Sequence, residues 1–497
     1  MNLSTRNRAG GGQLVAGSSQ LFSSLCRSVL VAATIAFLGS CATAQRATPS
    51  ATVITTAYRS TADRIITTAL ADSAAWNRTA TLTDKFGHRL SGSRSLEDAL
   101  DWIIAEMKRD GLENVRGEPV TVPHWVRGEE SATLVRPRAV TLNMIGLGGS
   151  IGTPPEGITA PVLVVNDFAD LAARAGEARG KIVLFDVPFT TYGATVRYRS
   201  TGAIEAAKAG AVASLIRSVS SYSIQNPHTG SMRYDTAVRR IPAAALSTED
   251  AMMLHRMQLR GDELVLTLRM GARQLPDAQS RNVVAELRGS ERPEEIVVMG
   301  GHIDSWDVGQ GAMDDAGGSV AAWEALRVIK RLGLRPRRTI RVVLWTNEEN
   351  GLRGATGYRD AHLGEIDNHV LAIESDNGVF KPTGYFIAGS DAAIAVARQI
   401  ASLLSSFGAT DVQRGGPQAD VSPLAERGVP AAAPMVDGTR YFWFHHSAGD
   451  TMDKLDPREM AECVAAMAVL AFVAADMPER FPRAAPGDTA VPRRTPR

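Results

Sequence analysis

His302 and Asp304 stand directly behind an apolar run, Ile296 to Met299, and Asp314 and Asp315 follow in Gly-Ala-Met-Asp-Asp-Ala-Gly-Gly. A second apolar run, Ile340 to Trp345, ends in Thr346-Asn347-Glu348-Glu349, and a third, Val370 to Ile373, ends in Glu374-Ser375-Asp376. Imidazole and carboxylate groups gathered in this way suit a metal. Zinc takes imidazole nitrogen and carboxylate oxygen, and a catalytic zinc keeps one position open for water. Two zincs close together need a shared carboxylate, plus one imidazole and one further carboxylate on each ion, to offset their mutual repulsion. His302, Asp314, Glu349 and Asp376 supply four such groups, and the second imidazole must come from Phe444-His445-His446-Ser447-Ala448-Gly449-Asp450-Thr451. Glu348 is left beside a ligand, where a free carboxylate acts as a general base toward water.

The elements that would position these groups are strands. In an open α/β sheet the crevice outside the carboxyl ends of parallel strands is where ligands bind, and three runs deliver carboxylates to that edge. Each fragment alone has an ordinary structural reading: His-x-Asp as a hydrogen-bonded pair, Glu-Glu as a helix start, Asp-Asp-Ala-Gly as a turn and cap. Their conjunction in one order favours chemistry. His88, His124, His228, His255, His362 and His369 lack such context and read as structural or exposed.

Gly-His-Ile-Asp-Ser, Gly-Ala-Met-Asp-Asp-Ala-Gly-Gly, Asn-Glu-Glu-Asn-Gly-Leu-Arg-Gly-Ala, Glu-Ser-Asp-Asn-Gly and His-Ser-Ala-Gly-Asp-Thr together resemble the co-catalytic di-zinc exopeptidases, the family of bacterial leucyl aminopeptidase and glutamate carboxypeptidase. Ser-Trp-Asp-Val-Gly-Gln-Gly-Ala and Tyr-Phe-Trp-Phe-His-His look most like its plasma glutamate carboxypeptidase branch. The resemblance covers roughly Ala57 to Ala475. It implies an α/β fold with a mixed, mostly parallel sheet flanked by helices, and an inserted protease-associated domain. It makes Asp314 the carboxylate shared by two zincs, with His302 and Asp376 on one ion and Glu349 and His446 on the other. His446 is preferred to His445 because the family ligand stands four residues before the Asp of Asp-Thr, here Asp450. Glu348 becomes the general base, Asp304 the carboxylate that orients His302 through its other ring nitrogen, and Asp315 a support for Asp314.

The activity implied is hydrolysis of dipeptides or short peptides from one end, amino or carboxyl, with Glu348 drawing a proton from a water shared by the zincs. Two other classes resemble the same family: a receptor-like chain without metals, against which the full ligand set argues, and a single-zinc glutaminyl cyclase-like acyltransferase. An amidase acting on a sugar or polyamine is open too, because the metals dictate hydrolysis and not the side-chain pocket. A peptide is the expected partner, and a homodimer is compatible with the resemblance.

The chain has 497 residues, 44% of them hydrophobic, enough for more than one core, and a net charge of +1 with no long basic block, so nucleic acid is not an expected partner. Arg6, Arg8 and Arg27 precede an apolar run, Val29 to Leu38, which is short for a membrane span and suits an export signal. Two processing outcomes stay open: lipid attachment at Cys41, anchoring an outer-membrane or other lipoprotein, or cleavage after Ala44, releasing a periplasmic or secreted protein. Either leaves Cys463 as the one cysteine of the fold, so no intramolecular disulfide is available. The expected division is a signal over 1–44, a first peptidase part over 45–128, an insert over 129–279, a second peptidase part over 280–481 and a disordered tail over 482–497. Within the insert, strands are expected at Val162 to Val165, Ile182 to Phe185 and Val212 to Ile216, with a helix from Thr201 to Ala209, and no Gly-x-Gly-x-x-Gly that would mark a nucleotide site. Ser95-Leu96-Glu97-Asp98 is expected to open a helix closed by Gly111, and Asp456-Pro457-Arg458-Glu459 to open another that buries Cys463.

Overall fold

The computed structural model describes residues 51–222 and 224–483; the expected export signal over 1–44, with Cys41, and the expected tail from 484 onward lie outside the described residues. The three apolar runs fold as neighbouring parallel strands. Arg292–His302 lies between Arg338–Trp345 and His369–Glu374, with His302 opposite Trp345 and Gly300 opposite Glu374. This register ends all three strands at one level, so the residues that follow each are delivered to one edge. Ala431–Val436 extends the parallel set beside His369–Glu374. Antiparallel pairings flank it, with Arg273–Leu287 and Glu113–Val126 on one side and Pro382–Ala388 on the other, where Asp411–Arg414 adds a parallel edge strand. The result is the expected mixed sheet, here of eight strands. Every residue of Arg338–Trp345 is buried, as a central strand covered on both faces requires.

The helix Pro457–Asp476 covers one face. Asp456 caps it by accepting from the backbone N–H of Arg458 and Glu459, and the Cys463 thiol is fully buried within it. Arg94–Arg109 buries one apolar face, Leu96, Ala99, Leu100, Ile103 and Met107. Its cap is Ser93, whose side chain accepts from Leu96 N–H, and not Ser95, whose hydroxyl donates to the carbonyl of His88. Two serines at alternate positions compete for that role, and the one with extended backbone wins.

A second eight-stranded sheet is built between Glu130 and Met270. Its centre is a parallel set, Ile158–Val165, Ile182–Phe185, Ala213–Arg217 and Ala243–Leu246. The helix feeding Ala213–Arg217 runs over Tyr192–Lys208, starting well before Thr201, because Thr191 caps it through Ala194 N–H. Its first turns bury Thr195, Arg199 and Ser200, polar residues that hide the helical periodicity in the sequence. The chain leaves the larger sheet after Val126 and rejoins it at Arg273, and the two passages touch where Gly271 N–H donates to Glu129 carbonyl at 2.8 Å. A Cβ on Gly128, at φ +70°, would stand 2.6 Å from the Gly271 carbonyl oxygen, so the crossing needs glycine. The division expected at 279/280 falls inside Arg273–Leu287, which pairs with Glu113–Val126 from Arg273 onward. Among the described residues no helix is long and apolar enough to cross a membrane.

Candidate metal centre

Asp314 sits on the loop that leads from the strand end at His302 into the helix Gly317–Arg331. Asp450 shapes that loop: its carboxylate accepts the N–H groups of Ala312, Met313 and Asp314 at 3.0, 2.7 and 3.1 Å. The fully buried Arg89 braces the preceding turn, donating to the carbonyls of Ile303, Gln310 and Gly311. Asp315 accepts from His302 N–H and Gly318 N–H, both at 3.1 Å, and so locks the strand end to the start of the helix. Neither Arg89 nor the backbone grip of Asp450 could be read from the sequence.

The two oxygens of Asp314 face different partners. Oδ1 lies 3.1 Å from His302 Nε2, and the same ring nitrogen is 3.4 Å from Asp376 Oδ1. Oδ2 lies 3.3 Å from His446 Nε2, which is also 3.0 Å from Glu349 Oε2. His445 stands against His446 with ring centroids 3.5 Å apart and its Nε2 3.6 Å from the same Asp314 oxygen. His302, Asp314 and Asp376 form one buried cluster with ligand atoms in mutual reach, and Asp314, His445 and His446 form another. The structure thus brings together His302, Asp314, Glu349, Asp376 and His446, with His445 alongside.

Asp304 is placed differently from expectation. The Nδ1 of His302 meets the backbone carbonyl of Asp304 at 2.9 Å, while the carboxylate is 3.8 Å away. The fully buried carboxylate instead accepts from Glu348 N–H at 3.1 Å and Glu349 N–H at 3.4 Å. Asp304 therefore orients His302 with its main chain and, with its side chain, ties down the loop that carries both glutamates. A carbonyl acceptor fixes Nδ1 as the protonated nitrogen and leaves Nε2 free to ligate.

The electrostatics suit a bound cation. Burial lowers the basicity of His302, but Asp314 and Asp376 outweigh it and push its pKa well above the usual imidazole range. Burial acts the same way on His446, and Glu349 and Asp314 raise it to about 10. His445 goes well down, through burial and repulsion by His446. Glu349 is pushed up to about 8, chiefly by burial. Carboxylates that raise the pKa of buried imidazoles make a place where positive charge is stabilised, and a divalent ion bound there would displace the imidazole protons. Asp314 Oδ2, near His446 Nε2 but not hydrogen-bonded to it, and Glu349 Oε1 are buried acceptors left unsatisfied, a costly arrangement that a cation relieves.

The smaller sheet's lobe reaches this centre. Arg199 places one guanidinium nitrogen 3.3 Å from His446 Nδ1 and donates with the other to Tyr192 hydroxyl at 2.9 Å. His228, which lacked any context in the sequence, is buried, and its Nδ1 lies 2.6 Å from the carbonyl of His445. Thr229 N–H donates to the His446 carbonyl at 2.8 Å. A cavity of about 580 Å³ opens over the centre, with Glu348, Asp314, Asp376 and His446 on one wall and Arg199 and Arg233 on the other.

The model of peptidase family M28 matches residues 282–471, the span that carries all these candidate ligands. Human carboxypeptidase Q is 51% identical over 413 residues, covering 83% of this chain and 88% of that protein. A probable leucine aminopeptidase 2 of Aspergillus fumigatus is 27% identical over 274 residues, covering 54% of this chain and 50% of its own. The crystal structure of a peptidase M28 precursor from Shewanella amazonensis SB2B superposes with a TM-score of 0.84 at 36% identity, covering 88% of this chain and all of that one. A zinc aminopeptidase from Bacillus subtilis shares the fold, with a TM-score of 0.62 at 20% identity over 81% of this chain and 94% of that one.

Proposed function

The chain belongs to peptidase family M28 and is a metallopeptidase, and on that premise we propose that it is a zinc-dependent exopeptidase of dipeptides and short peptides with two zinc ions per chain. The observation that carries the reading is the split of Asp314, one oxygen toward His302 and the other toward His446. His302 and Asp376 would hold one ion, Glu349 and His446 the other, and Asp314 both. Bound there, zinc supplies an ionised water near neutral pH and electrostatic stabilisation of the oxyanion.

Glu348 lines the cavity and its backbone N–H is held by Asp304, which supports the reading that its carboxylate would accept a proton from the attacking water and return it to the leaving amine. The buried clusters sharing Asp314 favour this reading over a single-zinc acyltransferase, which needs no shared carboxylate. The name carboxypeptidase Q, borne by relatives across most of the chain, supports cleavage next to a free carboxyl end. We read the lobe between Glu130 and Met270 as a protease-associated domain forming one wall of the site. The basic, then apolar, N-terminal segment supports export, with lipid on Cys41 or simple secretion as the two forms. Product analysis on a dipeptide library tests the function: zinc-loaded protein should release free amino acids and stop when chelated, and a zinc-loaded protein that cleaves no peptide contradicts it.

A further inference from the structure

The cavity over the metal centre is electrically two-sided. All its acidic wall residues come from the larger sheet's side, and both of its arginines, Arg199 and Arg233, come from the smaller lobe. Arg199 is already engaged by His446, Tyr192 and the Thr229 carbonyl. Arg233 is exposed, lines the same cavity, and its guanidinium makes no hydrogen bond or ion pair with the described residues. Its backbone is nonetheless fixed: Arg233 N–H donates to Ser200 carbonyl at 2.9 Å, Met232 N–H to Gly148 carbonyl at 3.0 Å, and Tyr234 hydroxyl to Ile241 carbonyl at 2.7 Å. A free fork of donors is thus presented from a pinned segment into the cavity where the scissile bond must lie.

We propose that Arg233 binds the terminal carboxylate of the substrate, so that the smaller lobe reads the carboxyl end of the peptide. This rests on the exopeptidase reading above and assigns the end that is recognised. A carboxylate placed on the opposite wall would face Glu348 and the carboxylates of the centre, whereas guanidinium matches it with two parallel charge-assisted hydrogen bonds. A terminal carboxylate belongs to every dipeptide, whatever its side chains, while a side-chain carboxylate offers the same chemistry only in acidic peptides.

The test uses full-length, zinc-loaded protein and three probes: Ala-Ala, its C-terminal amide, and Ala-Glu amide. The native protein should lose about ten- to a hundredfold in kcat/KM when Ala-Ala is amidated. Arg233→Gln should lose a similar factor on free Ala-Ala and be indifferent to amidation, and Arg233→Lys should recover part of the preference. Dissociation constants of Ala-Ala and its amide for the Glu348→Gln protein, with and without Arg233→Gln, should show the same pattern. An Arg233→Gln protein that keeps the native preference for the free carboxylate overturns the proposal, as does one impaired only on Ala-Glu amide. Failure to cleave any probe contradicts the hydrolase reading instead, and the binding ratio still decides the role of Arg233.

Discussion

The main-chain N–H of Thr229 donates to the carbonyl of His446 at 2.8 Å, joining the smaller lobe to the loop that carries an imidazole of the metal centre. His446 has φ +59°, a left-handed conformation that costs a non-glycine residue on the order of 1 kcal/mol and persists only where surroundings hold it. The holding groups come from 217 or more residues away in the chain: His228 on the His445 carbonyl, Thr229 on His446 and Asn226 on the Ser447 hydroxyl at 2.6 Å. The smaller lobe is therefore part of the centre's frame and not only its cover.

Gly230 tests that frame. At φ +130° its backbone lies under Arg199, and an added Cβ would stand 2.4 Å from the guanidinium carbon. Gly230→Ala should push Arg199 off His446 and lower kcat/KM by about tenfold or more, while zinc content holds because no ligand is lost. Steady-state kinetics beside elemental analysis checks this; unchanged kinetics would mean that Arg199 does not position His446.

The adjacent glutamates should behave differently. Glu348→Gln keeps size and hydrogen bonding but removes the base, so turnover should fall by roughly two to four orders of magnitude with metal and fold intact. Glu349→Gln weakens a group 3.0 Å from His446 Nε2, so metal occupancy and activity should fall together and added zinc should restore part of the activity. Metal loss in the first variant with full zinc in the second would exchange their roles.

Away from the centre, His369 gives a pH dependence of stability. Burial pushes its pKa down to about 4, and it is held neutral between the Glu365 carbonyl on Nδ1 and the Tyr358 hydroxyl on Nε2. The unfolded chain takes up this proton near pH 6.5, which the native state refuses until about pH 4. Stability is therefore full above about pH 6.5 and falls as the pH drops toward 4, by on the order of 3 kcal/mol for this residue. His228, also lowered to about 4 by burial, adds to the same slope. Urea unfolding between pH 4 and 7.5 should show a shallower decline in His369→Gln, and parallel curves would contradict the assignment.

The strands that carry the candidate ligands are legible because each apolar run ends directly in the groups it delivers, and the parallel register brings those ends level. What stays hidden is carried by long-range or main-chain contacts. A His-x-Asp spacing cannot tell whether the carbonyl or the carboxylate of Asp304 meets the ring. Arg89, Arg199 and Thr229 contact the centre across 214 to 247 residues or through a backbone N–H, and no local pattern marks them. The start of the helix at Tyr192 is masked because its first turns bury the polar Thr195, Arg199 and Ser200 beside Val196, which breaks the apolar stripe.

The zinc stoichiometry of the active protein tests the central claim most directly. Metal-free protein titrated with zinc, with bound metal and peptide hydrolysis followed together, should reach full activity at about two zincs per chain, the number that a carboxylate shared at Asp314 implies. Full activity at one zinc, or with none, would contradict the shared-carboxylate centre.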